Sequence, residues 1–345
     1  GLNNSTTSFA IHNNELYVTG YFTTAGGVTA NRVARYTGSG FTALGAGFNT
    51  VAMCLQSFGG SLYAGGSFTT SGATSVLRIA RWDGAAWQPV GAGFNSTVNS
   101  MAIYNGALHA GGNFTTSGVS SINYAAVFDG ASWQPLGVGT NSVIYTLCVY
   151  GPDLYVGGSF TTAGGQTARN FARWNASSWS GVGVSPTASV QALGVYNNTL
   201  VLAGSFAAAG GLACERLAYF DGLVYGTYGR HVTGTVNAIC QYNGQRIAVG
   251  SFTTAGGQLV NNVTRWDGAR WQPLNAANPG VNAEVRACVQ FGNDLIIGGD
   301  FTTAGGSAAS YVARWNGTAW APMGNNLNTS VYSLVVWNNE LYAGG

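Results

Sequence analysis

A chain of 345 residues with 53 glycines and only 7 % charged side chains is a poor candidate for a helical enzyme, because each glycine inside a helix costs on the order of 1 kcal/mol relative to alanine. With 46 % hydrophobic and 12 % aromatic residues it can still bury a large core, so disorder is excluded and a mostly β fold is expected. All 13 cationic residues are arginines, set against 11 acids with no basic run, and no stretch of 18 apolar residues occurs, so nucleic acid as a partner and a helical membrane span are both disfavoured.

The first element in the chain is a hairpin within residues 1–20, ending in Leu16-Tyr17-Val18-Thr19-Gly20. It opens a repeat of the form Leu-Tyr-x-Gly-Gly-x-Phe-Thr-Thr-x-Gly, whose phenylalanine falls at Phe22, Phe68, Phe114, Phe160, Phe206, Phe252 and Phe301. Six of those seven are spaced by 46 residues and the last by 49. Two aromatic columns follow at fixed distance: Tyr36, Trp82, Phe128, Trp174, Phe220, Trp266 and Trp315, then Phe41, Trp87, Trp133, Trp179, Tyr225, Trp271 and Trp320.

Within one unit the turn chemistry divides four short strands. In the third, the run from Val98 to Tyr104 meets Asn105-Gly106 and returns from Leu108 to Phe114. After a loop from Thr115 to Ile122, a strand from Asn123 to Phe128 meets Asp129-Gly130 and returns from Ser132 to Leu136. Asn-Gly and Asp-Gly supply the positive φ of tight hairpin turns. Four antiparallel strands per 46-residue repeat predict an all-β propeller of four-stranded blades, with a flat hairpin solenoid as competitor.

The chain ends on another first hairpin, residues 326–345, so it holds eight first hairpins and seven second ones. If the double-glycine hairpin is the inner one, eight blades, one incomplete, are favoured, and seven blades plus a spare hairpin are the alternative. Residues 1–345 are expected to be one repeat domain cut from a longer chain, with any signal peptide outside it.

Leu154-Tyr155-Val156-Gly157-Gly158-Ser159-Phe160-Thr161-Thr162-Ala163-Gly164-Gly165 and Arg265-Trp266-Asp267-Gly268-Ala269-Arg270-Trp271-Gln272-Pro273-Leu274 resemble the kelch-like propeller repeats of large secreted bacterial surface proteins and of yeast cortical cell-polarity markers. That resemblance covers all the units and implies a propeller of secreted or surface type.

Several residues are weighed for chemistry. Arg35, Arg81, Arg173, Arg265 and Arg314 lie thirteen residues after their phenylalanine, with Val127 and Tyr219 as the exceptions. A guanidinium there is expected to bond carbonyls of the adjacent blade or stack on an aromatic; the sharper reading makes the column repeated sites for glycans or carboxylates. Asp83, Asp129, Asp221 and Asp267 alternate with Asn175 and Asn316 in one turn column, which suits a turn role better than acid, base or calcium chemistry. His12, His109 and His231 lie in different units without metal-ligand spacing.

The odd set Cys54, Cys148, Cys214, Cys240 and Cys288 cannot pair completely and is read as buried free thiols; Cys148 and Cys240 share a strand position two units apart, which implies separation. Asn3, Asn4, Asn95, Asn113, Asn175, Asn197, Asn262, Asn316 and Asn328 head Asn-x-Ser/Thr sequons, which are glycosylation candidates in a secreted eukaryotic chain. The fifth unit departs most, with Ala207-Ala208 for Thr-Thr and the segment Tyr228-Gly229-Arg230-His231. The extra residues near Asn275 to Asn282 form a loop that can reach a partner. No cofactor and no catalytic residue is expected. The reading is a non-enzymatic extracellular or cell-surface propeller, structural, adhesive or protein-binding within a larger assembly, with a lectin-like glycan binder as the alternative.

Overall fold

The computed structural model describes residues 1–196, 198–214, 216–227, 232–268, 270–277, 279–323 and 327–345. Among the described residues seven four-stranded antiparallel sheets follow one another, each ordered first, second, third, fourth strand. In the third blade these are Val98–Tyr104, Ala107–Gly112, Ala125–Phe128 and Trp133–Pro135. The expected loop carries a small ladder of its own, Thr116–Ser117 against Ser120–Ser121. Among the described residues no helix is long and apolar enough to cross a membrane.

The two turns of a blade work differently. Asn105 and Gly106 both have positive φ (48° and 72°), the geometry of a two-residue hairpin joining the Tyr104–Ala107 pair. At the second turn only Gly130 is left-handed, and four residues separate the paired Phe128 and Trp133. There the expected two-residue turn is corrected: the Asp129 carboxylate replaces backbone geometry by accepting the N–H groups of Ala131 and Ser132 at 2.8 and 2.7 Å.

The double glycine answers to close approach. The first strand of almost every blade carries a bulge at its start, for example between Val98 and Ser100, and the second glycine of the pair lies against it. A Cβ on Gly112 or Gly158 would overlap the carbonyl oxygen of Thr97 or Val143. The first glycine faces the next blade instead. A Cβ on Gly65 would stand 2.6 Å from Val98, on Gly111 2.7 Å from Ile144, and on Gly157 2.6 Å from Val190.

The chain forms two compact units, residues 1–202 with 220–224, and 203–219 with 225–345. In the first unit, first strands of successive blades pack on one another. They are joined by polar bridges such as Asn99 Nδ2 to the Ile144 carbonyl at 2.8 Å and the Leu147 N–H to Ser100 Oγ at 3.1 Å. Tryptophans of the second aromatic column tie each blade to the one before: Trp87 Nε1 donates to Leu44 O at 3.1 Å, Trp133 to Val90 O at 3.2 Å and Trp179 to Leu136 O at 2.6 Å. Phe48 stacks on Phe68 and Phe94 on Phe114, both at 4.0 Å between ring centroids. In the second unit the sixth and seventh blades repeat the pattern, with Asn237 Nδ2 donating to the Val285 carbonyl at 2.9 Å.

The seven repeat phenylalanines are at most 3 % exposed. Each of their carbonyls accepts the N–H of a residue ten positions on: Arg32, Arg78, Tyr124, Asn170, Arg216, Asn262 or Tyr311. Every one of those seven, though none is glycine, has φ between 64° and 80°. The strain of a side chain in that region is held by the closing hydrogen bond.

The eight-blade expectation is corrected to seven. The last hairpin, Ser333–Trp337 with Glu340–Gly344, stands as a two-stranded sheet. The double-glycine hairpin supplies only half a blade, and the strands that complete one occur after seven phenylalanines, not eight.

Gly111→Ala is expected to destabilise the fold by about 1–3 kcal/mol through overpacking, and Ile144→Ala by about 2–5 kcal/mol through the cavity it leaves. The double variant should cost clearly less than the sum, because removing the Ile144 side chain frees the space the new methyl needs. Denaturant unfolding of the four proteins checks this.

Candidate functional site

The arginine column lies on the third strand, opposite the second. Arg35 pairs across the ladder with Tyr17, Arg81 with Tyr63 and Arg173 with Tyr155, while Arg265 and Arg314 face Ile247 and Ile296. Two residues before each of these partners, on the same strand face, sits the residue that decides what the arginine does. It is Glu15 in the first blade, Asp153 in the fourth and Asp294 in the seventh, with guanidinium-to-carboxylate distances of 3.2, 3.3 and 3.2 Å. In the sixth blade Arg265 reaches Gln245 at 3.5 Å and the Pro273 carbonyl at 3.3 Å. The column is thus engaged mainly within its own blade, not with the adjacent one. These pairs are half-exposed, and each contributes about 0–1 kcal/mol.

The exceptions are coherent. The third blade has neither acid nor arginine at these positions, but Ala107 and Val127. In the fifth, the Tyr219 ring lies over Gly226, where any Cβ would collide with it. The second blade has the arginine without the acid: Ser61 stands where Glu15 and Asp153 stand, and Arg81 makes neither a hydrogen bond nor an ion pair with a described residue.

Two of these arginines line clefts between neighbouring blades of the first unit. A cleft of about 240 Å³ is bounded by Tyr63 and Arg81 of the second blade and Phe128 and Gly130 of the third. Its counterpart of about 180 Å³ is bounded by Tyr155 and Arg173 of the fourth blade with Phe220 and Leu223. Burial pushes the Tyr63 and Tyr155 phenols up from their ordinary value.

Other candidates take structural roles. His12 meets Ser57 Oγ at 2.8 Å. His109 Nδ1 donates to the Ala107 carbonyl, and burial lowers its pKa; His231, with the rest of residues 228–231, lies outside the described residues. Among the described residues no three His, Cys, Asp or Glu side chains are grouped to hold a metal.

All five cysteines are free, and burial pushes the Cys54 thiol up to about 12. Cys240 and Cys288, on the first strands of the sixth and seventh blades, pack against the same core, and Cys240 adds to burial in raising the Cys288 thiol.

The sequons divide by what their amides do. Asn3 and Asn95 clamp the threonines after the repeat phenylalanine: each Oδ1 accepts two backbone N–H groups and each Nδ2 donates to a threonine Oγ1 at 2.9 Å. Asn49, Asn141 and Asn282 do the same, which explains the Thr-Thr pair. The signal available in the sequence was an asparagine nineteen residues before the phenylalanine. The Asn262 amide donates to the Val281 carbonyl. Asn4, Asn113, Asn175, Asn316 and Asn328 are exposed, and Asn197 lies outside the described residues, as does Asn278 of the long interval.

In the turn column, Asn316 Oδ1 accepts the N–H groups of Thr318 and Ala319 at 2.9 Å, as Asp129 does in its own turn. Backbone N–H groups hold the Asp129 carboxyl well below its usual range, so its stabilising effect is full above the unfolded value of about 3.9 and is lost as pH falls through the depressed folded value. Asp129→Asn should therefore leave stability at pH 7 nearly unchanged while making the decline in acid shallower than in the wild type. Denaturant unfolding across acid pH measures both.

Residues 13–41 match a family model described as a domain of unknown function (DUF5122), beta-propeller. No curated protein matches the chain. Among solved structures, the chain is similar to the computationally designed Ika8 protein, with TM-score 0.63 and 14 % identity over all of this chain and 94 % of that one. It is also similar to a chain of a mitotic checkpoint complex, with TM-score 0.51 and 14 % identity over 90 % of this chain and 88 % of that one. Likeness at such identity concerns the fold, and the fold is a β-propeller of four-stranded blades.

Proposed function

We propose that this propeller is a non-catalytic interaction module of a secreted or cell-surface assembly. The observation that carries the reading is a set of apolar side chains presented at loop tips instead of being buried. Val119, in the turn of the small ladder of the third blade, is 105 % exposed, and Val138 and Val184, at matching positions after the fourth strands of the third and fourth blades, are 62 % and 64 % exposed. The small-ladder turns and these loops adjoin, since the Gly164 N–H donates to the Gly139 carbonyl at 2.8 Å. Recurrent apolar tips on a rigid β scaffold are what a protein partner covers. Few charges and many Ser, Thr, Asn and Gly residues suit an extracellular setting.

A second reading, a lectin-like propeller, is favoured by one specific observation: the aromatic-and-arginine clefts at Arg81 and Arg173. Both readings assign the chain to binding, and chemistry to neither.

A photo-crosslinking residue at Val138, in the protein expressed in its native host, is expected to give adducts with another protein at the cell surface. The same residue at Ala131, in the turn between third and fourth strands, should give few. Antibody labelling of unpermeabilised cells should find the chain. Adducts of equal yield from both positions, or a chain reached by antibody only after permeabilisation, would contradict the proposal.

A further inference from the structure

The blades are seven versions of one design, so a site is best sought where one copy lacks what the others supply. In the first blade a single carboxylate completes the design: Glu15 Oε2 accepts from the Tyr17 hydroxyl at 3.0 Å and from Arg35 at 3.2 Å. In the fourth, Asp153 lies 3.3 Å from Arg173 beneath Tyr155. The second blade keeps both donors, Tyr63 and Arg81, in the same cross-strand pairing, and has Ser61 in place of the acid. A serine hydroxyl is too short to reach them and carries no charge.

Two other acids of these blades are already occupied: Asp129, in the turn between the cleft-lining Phe128 and Gly130, accepts from the Ala131 and Ser132 N–H groups and the Gln134 amide, and Asp83 is held likewise. Asp83 accepts the N–H groups of Ala85 and Ala86 at 2.9 and 2.8 Å and the Gln88 amide at 2.7 Å, and Arg81 is only the least of the influences lowering its pKa. The buried phenol of Tyr63, 6 % exposed, and an exposed guanidinium thus face the cleft of about 240 Å³ without the carboxylate that Glu15 and Asp153 supply to the same residue pair in the first and fourth blades. The Phe128 ring and the turn at Gly130 close the other side. This volume is below that of drug-sized pockets, roughly 300–1,000 Å³, and suits one ring-sized unit. A guanidinium beside a hydroxyl donor recognises a carboxylate, and flanking aromatic rings offer apolar surface for the C–H face of a sugar.

We propose that the cleft between the second and third blades binds a carboxylated sugar of the uronic acid type, its carboxylate taking the place that Glu15 holds in the first blade and bridging Arg81 and the Tyr63 hydroxyl. The inference rests on the lectin-like reading and names its ligand class. The fourth-blade cleft does not share the specificity, because Asp153 already neutralises Arg173.

The test is titration of the full chain with D-glucuronate at millimolar concentration, followed by NMR shifts and by thermal stabilisation, with D-glucose and acetate as separate arms. Glucuronate should bind, glucose should not, and acetate should bind more weakly than glucuronate. Arg81→Gln should weaken glucuronate binding by roughly tenfold or more. Ser61→Asp should do the same by supplying the internal counterion, with the fold intact because three other blades carry an acid there. Arg173→Gln should have no effect. Unchanged binding in the Ser61 or Arg81 variants overturns the proposal, as does acetate binding as tightly as glucuronate. Glucose binding as well as glucuronate overturns the carboxylate assignment while leaving the lectin-like reading standing; binding of neither sugar overturns both.

Discussion

Everything in this fold depends on how closely two backbones approach at the start of each blade. The first strand bulges, the second strand lies against the bulge, and the second residue of the glycine pair occupies the gap, where a Cβ would overlap a carbonyl oxygen. The glycine excess is therefore concentrated where chain meets chain. Once the hairpin has closed in this way, its neighbouring glycine gives the next blade's Val98, Ile144 or Val190 a flat surface to pack on. Where that glycine is absent, as at Thr19 or Val249, the second glycine is still present, so the closer approach is the stricter requirement.

The remaining repeated features secure this arrangement from outside. Tryptophan N–H groups reach back to the previous blade, asparagine clamps hold the threonines beyond five of the phenylalanines, and each phenylalanine carbonyl pins a strained left-handed residue. Because these devices recur from blade to blade, they identify the scaffold and carry no information on a ligand. Information of that kind lies in the departures, of which the missing acid beside Arg81 is the one that leaves a charge and a hydroxyl unanswered in a cleft.

Much of this was legible in the sequence. The phenylalanine spacing and the turn dipeptides give four strands per unit, and the strands of the third blade fall within two residues of where periodicity puts them. The alternation of Asp and Asn in the second turn announced a side-chain role, although its four-residue geometry was hidden because Asp-Gly reads like a two-residue turn. Blade number was misjudged because an extra hairpin looks like a blade when strands are counted by motif. What a repeat cannot show is which columns face each other. Glu15 and Arg35, or Ser61 and Arg81, are twenty residues apart, and only the ladder register makes them neighbours.

The most direct measurement compares two glycines of the fourth blade by denaturant unfolding. Gly151 has φ of 57° with nothing within 4 Å of a Cβ, whereas Gly158 has ordinary extended φ and the Val143 carbonyl in the way. Gly151→Ala should cost about 1–2 kcal/mol, the penalty of a left-handed side chain. Gly158→Ala should cost more, because the obstacle is backbone and cannot turn aside. Equal costs, or a greater loss at Gly151, would show that turn conformation and not close approach governs the blade.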